Sequence, residues 1–314
     1  MAEILVVGDA TVDQMYFVDA VPESGSETTA TRAVMEPGGA GGTLATALAR
    51  LGNATRIATR VGTGPFSELA LANVRAAGVA PDLIQVDPDL QTSSVTILVT
   101  PDTQRTMITA IGASRNLDAA DLDAAIFDGL DGLVMSAYSL VDGPQRDYAV
   151  KALELARGAG ATTFVDMGTG AVNALKGRLI GLVRKVDYLL MNERELFALT
   201  GRDTISEAAA GLNDHGIERL IVKVGEMGSI VITPERSELV DPFDVDEVVD
   251  TTGAGDYFTA AFADAILNGA ELLAAAHAGN VAGALNTTEI GAQRRVVDRA
   301  TLERAARAFA ASSR

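Results

Sequence analysis

Apolar residues in this chain come in short continuous runs separated by stretches of helical period. Ile4–Val7 is one such run, ending at Gly8-Asp9, and has the form of a strand buried on both faces. Gly132–Met135, Thr162–Val165, Tyr188–Met191, Leu220–Val224 and Ser229–Ile232 predict further strands. Helical stretches such as Gln145–Arg157 and Ile205–Asp214 lie between several of them. That βαβ order predicts a mainly parallel sheet with helices on both faces. The acidic, alanine-rich Ala119–Ala125 is expected to be helical.

Two segments break the pattern. Met15–Val21 and Glu27–Met35 alternate loosely around the turn chemistry of Pro22-Glu23-Ser24-Gly25. Ser94–Thr100 and Arg105–Thr109 do the same around Pro101–Gln104. Two such insertions, about residues 14–36 and 93–110, predict a small second sheet on a single 314-residue domain.

Val249–Asp256 is the stretch the chain is organised around. A short apolar approach ends in Asp250, the turn Thr251-Thr252-Gly253-Ala254-Gly255 follows, and Asp256 opens a helix. Tyr257, Phe258, Ala261, Phe262, Ala265 and Ile266 repeat at helical spacing, and Asn268-Gly269 reads as the stop. The first N–H groups of a helix lack partners within it, and glycines let a ligand approach the backbone. Such a turn suits a phosphate. A carboxylate there repels phosphate unless it takes a proton from an attacking hydroxyl, or is simply a favourable first-turn acid.

Asp250-Thr251-Thr252-Gly253-Ala254-Gly255-Asp256 resembles, residue for residue, the signature of the PfkB, or ribokinase-like, family of sugar and nucleoside kinases. The resemblance implies a three-layer αβα sandwich with a mainly parallel central sheet and a small antiparallel β lid. It implies ATP and Mg²⁺ as cofactors, Asp256 as catalytic base, and Gly253, Ala254 and Gly255 as part of the anion hole. Asp13, beyond the first strand, matches the family's Asp that binds substrate hydroxyls. Gly38, Gly39 and Thr43 match its sugar-contacting Gly-Gly-x-x-x-Asn, with Thr43 in place of Asn, just as Thr11 stands where Asn is common. These two departures leave the substrate open among sugars and nucleosides. Ala40 sits where some sugar-phosphate kinases of the family carry Lys, which argues against a phosphorylated sugar.

Asn192 and Glu195 match the family's Asn-x-x-Glu, tied to Mg²⁺ and phosphate placement. The same spacing is that of a helix capping box. Lys223, Gly225 and Gly228 fit a nucleotide wall after a strand, and Asn280 and Gly283 fall where relatives shape the adenine pocket. In many relatives the loops around Asp250–Thr252 and Thr287–Ala292 hold a monovalent cation, which places K⁺ at Asp250 and Thr252. The lid implies a homodimer.

Composition narrows the alternatives. The chain has no Cys and only His215 and His277, which excludes a thiolate nucleophile and a His/Cys metal centre. A net charge of −17 argues against nucleic acid and an anionic membrane surface as partners. Without a basic leader or a bilayer-length apolar segment, a cytoplasmic protein is expected. An NAD-binding enzyme is disfavoured because the first strand lacks a clean Gly-x-Gly-x-x-Gly. A catalytically silent regulator is disfavoured by the intact Asp256.

Overall fold

The computed structural model describes residues 1–312 except Thr103 and Asp121. Its strands in chain order are β1 (Glu3–Val7), β2 (Thr11–Phe17), β3 (Arg32–Gly38), β4 (Ala54–Val61), β5 (Ile84–Val86), β6 (Ser94–Val99), β7 (Arg105–Ala110), β8 (Gly132–Ser136), β9 (Thr162–Asp166), β10 (Tyr188–Asn192), β11 (Leu220–Lys223), β12 (Ser229–Ile232) and β13 (Ser237–Val240). Among the described residues, nine strands form one sheet in the order β13-β12-β11-β10-β9-β8-β1-β4-β5. It is parallel except at the β11–β12–β13 edge.

β1 shows why its run is continuously apolar. Leu5 and Val7 enter one core, with the Gly143–Gly158 and Glu193–Thr200 helices. Ile4 and Val6 enter the other, with Ala40–Arg50, Ala254–Leu267 and Leu272–Asn286. Both faces of the sheet are covered, giving the three layers of an αβα sandwich. On the second face, Phe164 stacks on Tyr188 at 5.0 Å, and Phe262 meets both edge-on.

The small sheet has the order β3-β2-β6-β7. It is two antiparallel hairpins side by side, with β2 and β6 parallel where they meet. On one face Met15 and Ile97 are buried, while Met107 at the β7 edge is exposed. The row Met35–Gln14–Thr96–Ile108 lies on the other face, where Met35 and Ile108 are 50% and 62% exposed.

Ala119–Ala125 is not a helix. Asp118 Oδ1 accepts from the Ala120 N–H and Asp123 Oδ1 from the Ala125 N–H, local turns that compete with helical bonding. A 3₁₀ turn begins only at Ala124, and Asp121, within the segment, lies outside the described residues.

Candidate active site

The carboxyl ends of the parallel strands face one crevice, where open α/β sheets bind ligands. Asp166 ends β9, Asn192 ends β10 and Lys223 ends β11. The Ala254–Leu267 helix begins opposite them. Its N-cap is Gly253 at φ 79°, left-handed backbone that an L side chain rarely adopts. A Cβ at Gly253 would stand 2.8 Å from the Ala292 carbonyl oxygen. The Ala254 N–H already donates to Thr251 O at 3.3 Å. The helix's anion-binding character therefore rests chiefly on the Gly255 and Asp256 N–H groups.

Asp256 keeps part of its surface open to the crevice but is ringed by protein and by other acids. Burial raises its pKa well above the ordinary carboxylate value; Asp166, Asp9 and Asp13 add to the rise and Lys223 opposes it. Lys223 Nζ donates to Asp166 Oδ1 at 2.6 Å, reaches the Gly255 carbonyl at 3.5 Å and lies 5.9 Å from the Phe258 ring centroid. Burial works against the Lys223 ammonium, but Asp166 and Glu195 more than offset it, so it stays charged. Burial pushes Asp166 up to about 6 against the pull of Lys223.

A cavity of about 660 Å³ opens beside this centre. Asn192, Glu195, Lys223, Gly225, Gly228, Asn280 and Gly283 all line it, together with residues 253–256. Each glycine has a reason. Gly225 and Gly228 have φ of 63° and 90°, and a Gly228 Cβ would collide with Val240 O. Gly283 lets its helix approach the turn, since a Cβ there would meet Ala254 O at 3.0 Å. Asn280 Nδ2 donates to Val240 O and Asp241 O, which fixes the segment entering the apolar wall of Pro242, Phe243, Val245 and Val248.

Asn192 and Glu195 form a full capping box. Asn192 Oδ1 accepts from the Glu195 N–H, and Glu195 Oε2 from the Asn192 N–H. Thr169 Oγ1 donates to Glu195 Oε1 at 3.0 Å. Both Glu195 oxygens thus have partners within the protein, although the residue also lines the cavity.

Asp9 and Asp13 are close enough to Asp256 to raise its pKa. Asp13 is 7% exposed; burial lifts it to about 6, while Thr11 Oγ1 donates to its Oδ1 at 2.9 Å. Gly38 is required by Asp13, since a Cβ there would collide with the Asp13 carboxylate. Gly39, at φ 81°, packs on the Asp9 backbone, where its Cβ would be 2.6 Å from Asp9 O. Burial also raises Asp9, although the Ala40 and Gly41 amides draw it back, and its Oδ1 has no partner in the protein.

Thr43 is placed differently from expectation. It is fully buried, its hydroxyl donating to Gly39 O at 2.9 Å and accepting from Gln293 Nε2 at 3.2 Å. Those bonds hold the glycine corner from behind rather than meeting a ligand.

A family model described as pfkB family carbohydrate kinase matches residues 1–299. The chain belongs to the pfkB family. Deoxyribokinase from Salmonella typhi is 27% identical over 296 residues, 93% of this chain and 94% of that protein. The ribokinase structure from Thermotoga maritima has a TM-score of 0.84 at 26% identity, covering 98% of this chain and all of its own. The adenosine kinase structure from Sinorhizobium meliloti has a TM-score of 0.83 at 25% identity, covering 98% of this chain and 99% of its own. This pfkB protein is an ATP-dependent carbohydrate or nucleoside kinase, and members of its family generally use ATP and Mg²⁺. Among the described residues, no helix is long and apolar enough to cross a membrane.

The crevice fits those cofactors. It offers an apolar wall for a base, glycine backbone for phosphates, and one charged lysine between them. Among the described residues no group of three or more His, Cys, Asp or Glu could hold a metal alone. Mg²⁺ keeps much of its water and takes phosphate oxygens; Asp166 and Glu195, which line the cavity, would meet that water once the ion is bound.

K⁺ at Asp250 and Thr252 does not fit. Asp250 Oδ1 accepts from Thr252 N at 2.8 Å, from Thr252 Oγ1 at 2.7 Å and from Arg105 Nη2. Asp250 Oδ2 accepts from the Gly291 N–H, and Asn286 Nδ2 donates to Thr252 O, both at 2.8 Å.

Sequence reasoning missed Asp166 and left Asp9 without a role. The signal for both was available: each is an acid at the carboxyl end of a buried parallel strand. Nothing in the pattern could pair Arg105 with Asp250, 145 residues away.

Proposed function

We propose that this kinase phosphorylates a hydroxyl, preferably a hydroxymethyl, of a small uncharged sugar, with Asp256 as general base. The observation that carries this reading is Asp256 itself, a carboxylate in the first turn of a glycine-capped helix. It stands between the nucleotide cavity and the Asp9–Asp13 corner. A carboxylate of raised pKa is a stronger base for an alcohol than an ordinary one. The Gly255 and Asp256 N–H groups, with Gly253 and Ala254 shaping the turn, would hold the charge on the transferring phosphoryl. Bound Mg²⁺ would neutralise the ATP phosphates. Lys223 would meet the phosphates from the strand side, and the small sheet would exclude water from the transfer.

An uncharged polyol is favoured by the acids at the corner. Asp9 and Asp13 put two carboxylates at this corner, and Asp9 Oδ1 makes no hydrogen bond within the protein. An anionic substrate would face both carboxylates. Gly38 and Gly39 would border it through backbone. A nucleoside is the second reading, supported by the likeness to an adenosine kinase.

The test is ADP release with Mg·ATP against ribose, deoxyribose, fructose, sugar acids, sugar phosphates and adenosine. Phosphorus NMR would locate the new ester. Preference for a neutral sugar, phosphorylated at a hydroxymethyl, is expected. Preference for a sugar phosphate would overturn the charge argument.

The Met35–Ile108 face of the small sheet suits a second copy of this chain, making the protein a homodimer through its lid.

A further inference from the structure

Arg105 begins β7, next to the hairpin tip of the small sheet, and pairs across that hairpin with Val99. Its guanidinium does not remain with the sheet. Nη1 donates to Thr252 Oγ1 at 2.5 Å, and Nη2 donates to Asp250 Oδ1 in an ion pair. Both groups belong to the turn that leads into the anion-binding helix. Asp250 is 7% exposed and the Arg105 side chain 22%, so the pair is largely shielded from water.

We propose that Arg105 is a tethered replacement for a monovalent cation at this turn, making catalysis independent of K⁺. The physical reason is charge. The buried Asp250 carboxylate, just ahead of Gly253 in the turn, needs a positive partner, and a guanidinium meets Asp250 and Thr252 together. A free cation would have to displace it or sit beside a like charge. Asp250 in turn fixes the turn through Thr252 N, Thr252 Oγ1 and Gly291 N. Arg105 is thus a positioning residue: it acts on the Gly255 and Asp256 N–H groups through Asp250. Because it is carried by the small sheet, its charge reaches the turn only while that sheet is docked.

The inference rests on the proposed function only where turnover is measured. Thallium(I), a K⁺ surrogate visible by ²⁰⁵Tl NMR, would be titrated into the wild-type protein, Arg105→Met and Arg105→Lys. ADP release would be followed in parallel in K⁺ and tetramethylammonium salts. The wild type is expected to bind no Tl⁺ at the turn and to turn over equally in both salts. Arg105→Met is expected to lose about tenfold or more in kcat without K⁺, the scale of one charge-assisted contact. It should bind Tl⁺ and recover with K⁺, saturably. Arg105→Lys, which keeps a charge, should remain independent of K⁺. Saturable Tl⁺ binding that stimulates the wild type would overturn the proposal. So would an Arg105→Met variant that is either unimpaired or impaired without rescue by K⁺. Absence of ADP with every acceptor would count against the proposed substrate class instead, and the Tl⁺ titration would still decide the role of Arg105.

Discussion

At the scale of single residues, the site is built from carboxylates held where water would not leave them. Asp13 and Asp256 have pKa values raised by burial, Asp13 to about 6. A carboxyl whose folded pKa is raised stabilises the fold fully below its unfolded pKa of 3.8, and that stability is lost as pH rises through the folded pKa. For Asp13 the difference is worth roughly 3 kcal/mol, at about 1.4 kcal/mol per pH unit. Ligand-free protein should therefore lose stability between pH 4 and pH 7. Asp256→Asn should melt several degrees above the wild type at pH 8, and this gap should close as pH falls to 4. Scanning calorimetry of both proteins across that range checks the sign. Gly38→Ala belongs to the same scale. Its Cβ would force the Asp13 carboxylate away, so KM for the acceptor should rise about tenfold or more while that for ATP changes little.

At the scale of elements, the chain declared more of itself. The β1, β8, β9, β10 and β12 runs were legible because a strand buried on both faces is apolar throughout. β4 was not, since Thr55, Arg56, Thr59 and Arg60 interrupt it; Arg60 is held by Asp87. The Ala119–Ala125 expectation failed because aspartates bond their own backbone more readily than they propagate a helix. Within the site, local signals such as the glycine turn and the capping box could be read. Asp250 with Arg105, and Asp264 with Asn53 and Arg299, depend on tertiary contact and could not. Asp264 Oδ1 accepts from Asn53 Nδ2 at 2.8 Å and Arg299 Nη2 at 2.7 Å. Asn53 Oδ1 also accepts from the Ala2 N–H. One carboxylate thus joins the central helix to the first strand and the C-terminal segment. Asp264→Ala should cost about 2–3 kcal/mol, because buried donors lose their acceptor. Urea unfolding, with an unchanged slope, is the check.

At the scale of the whole molecule, a three-layer body carries the cavity beside Asp256, and a small four-stranded sheet is set apart from it. The outer row of that sheet leaves Met35 and Ile108 in water, while Met15 and Ile97 on its inner face are covered. If a second copy covers the outer row, Ile108→Glu should yield a monomer in equilibrium sedimentation, and the wild type a dimer. A monomeric wild type would refute the pairing without touching the chemistry.

The proposed chemistry turns on Asp256, and its most direct measurement is phosphoryl transfer by Asp256→Asn, with ATP binding followed in the same samples. The amide preserves size but accepts no proton, so ADP release with the preferred acceptor should fall by about 10²–10⁴-fold while ATP affinity is retained. Turnover within a few-fold of wild type would contradict Asp256 as the base.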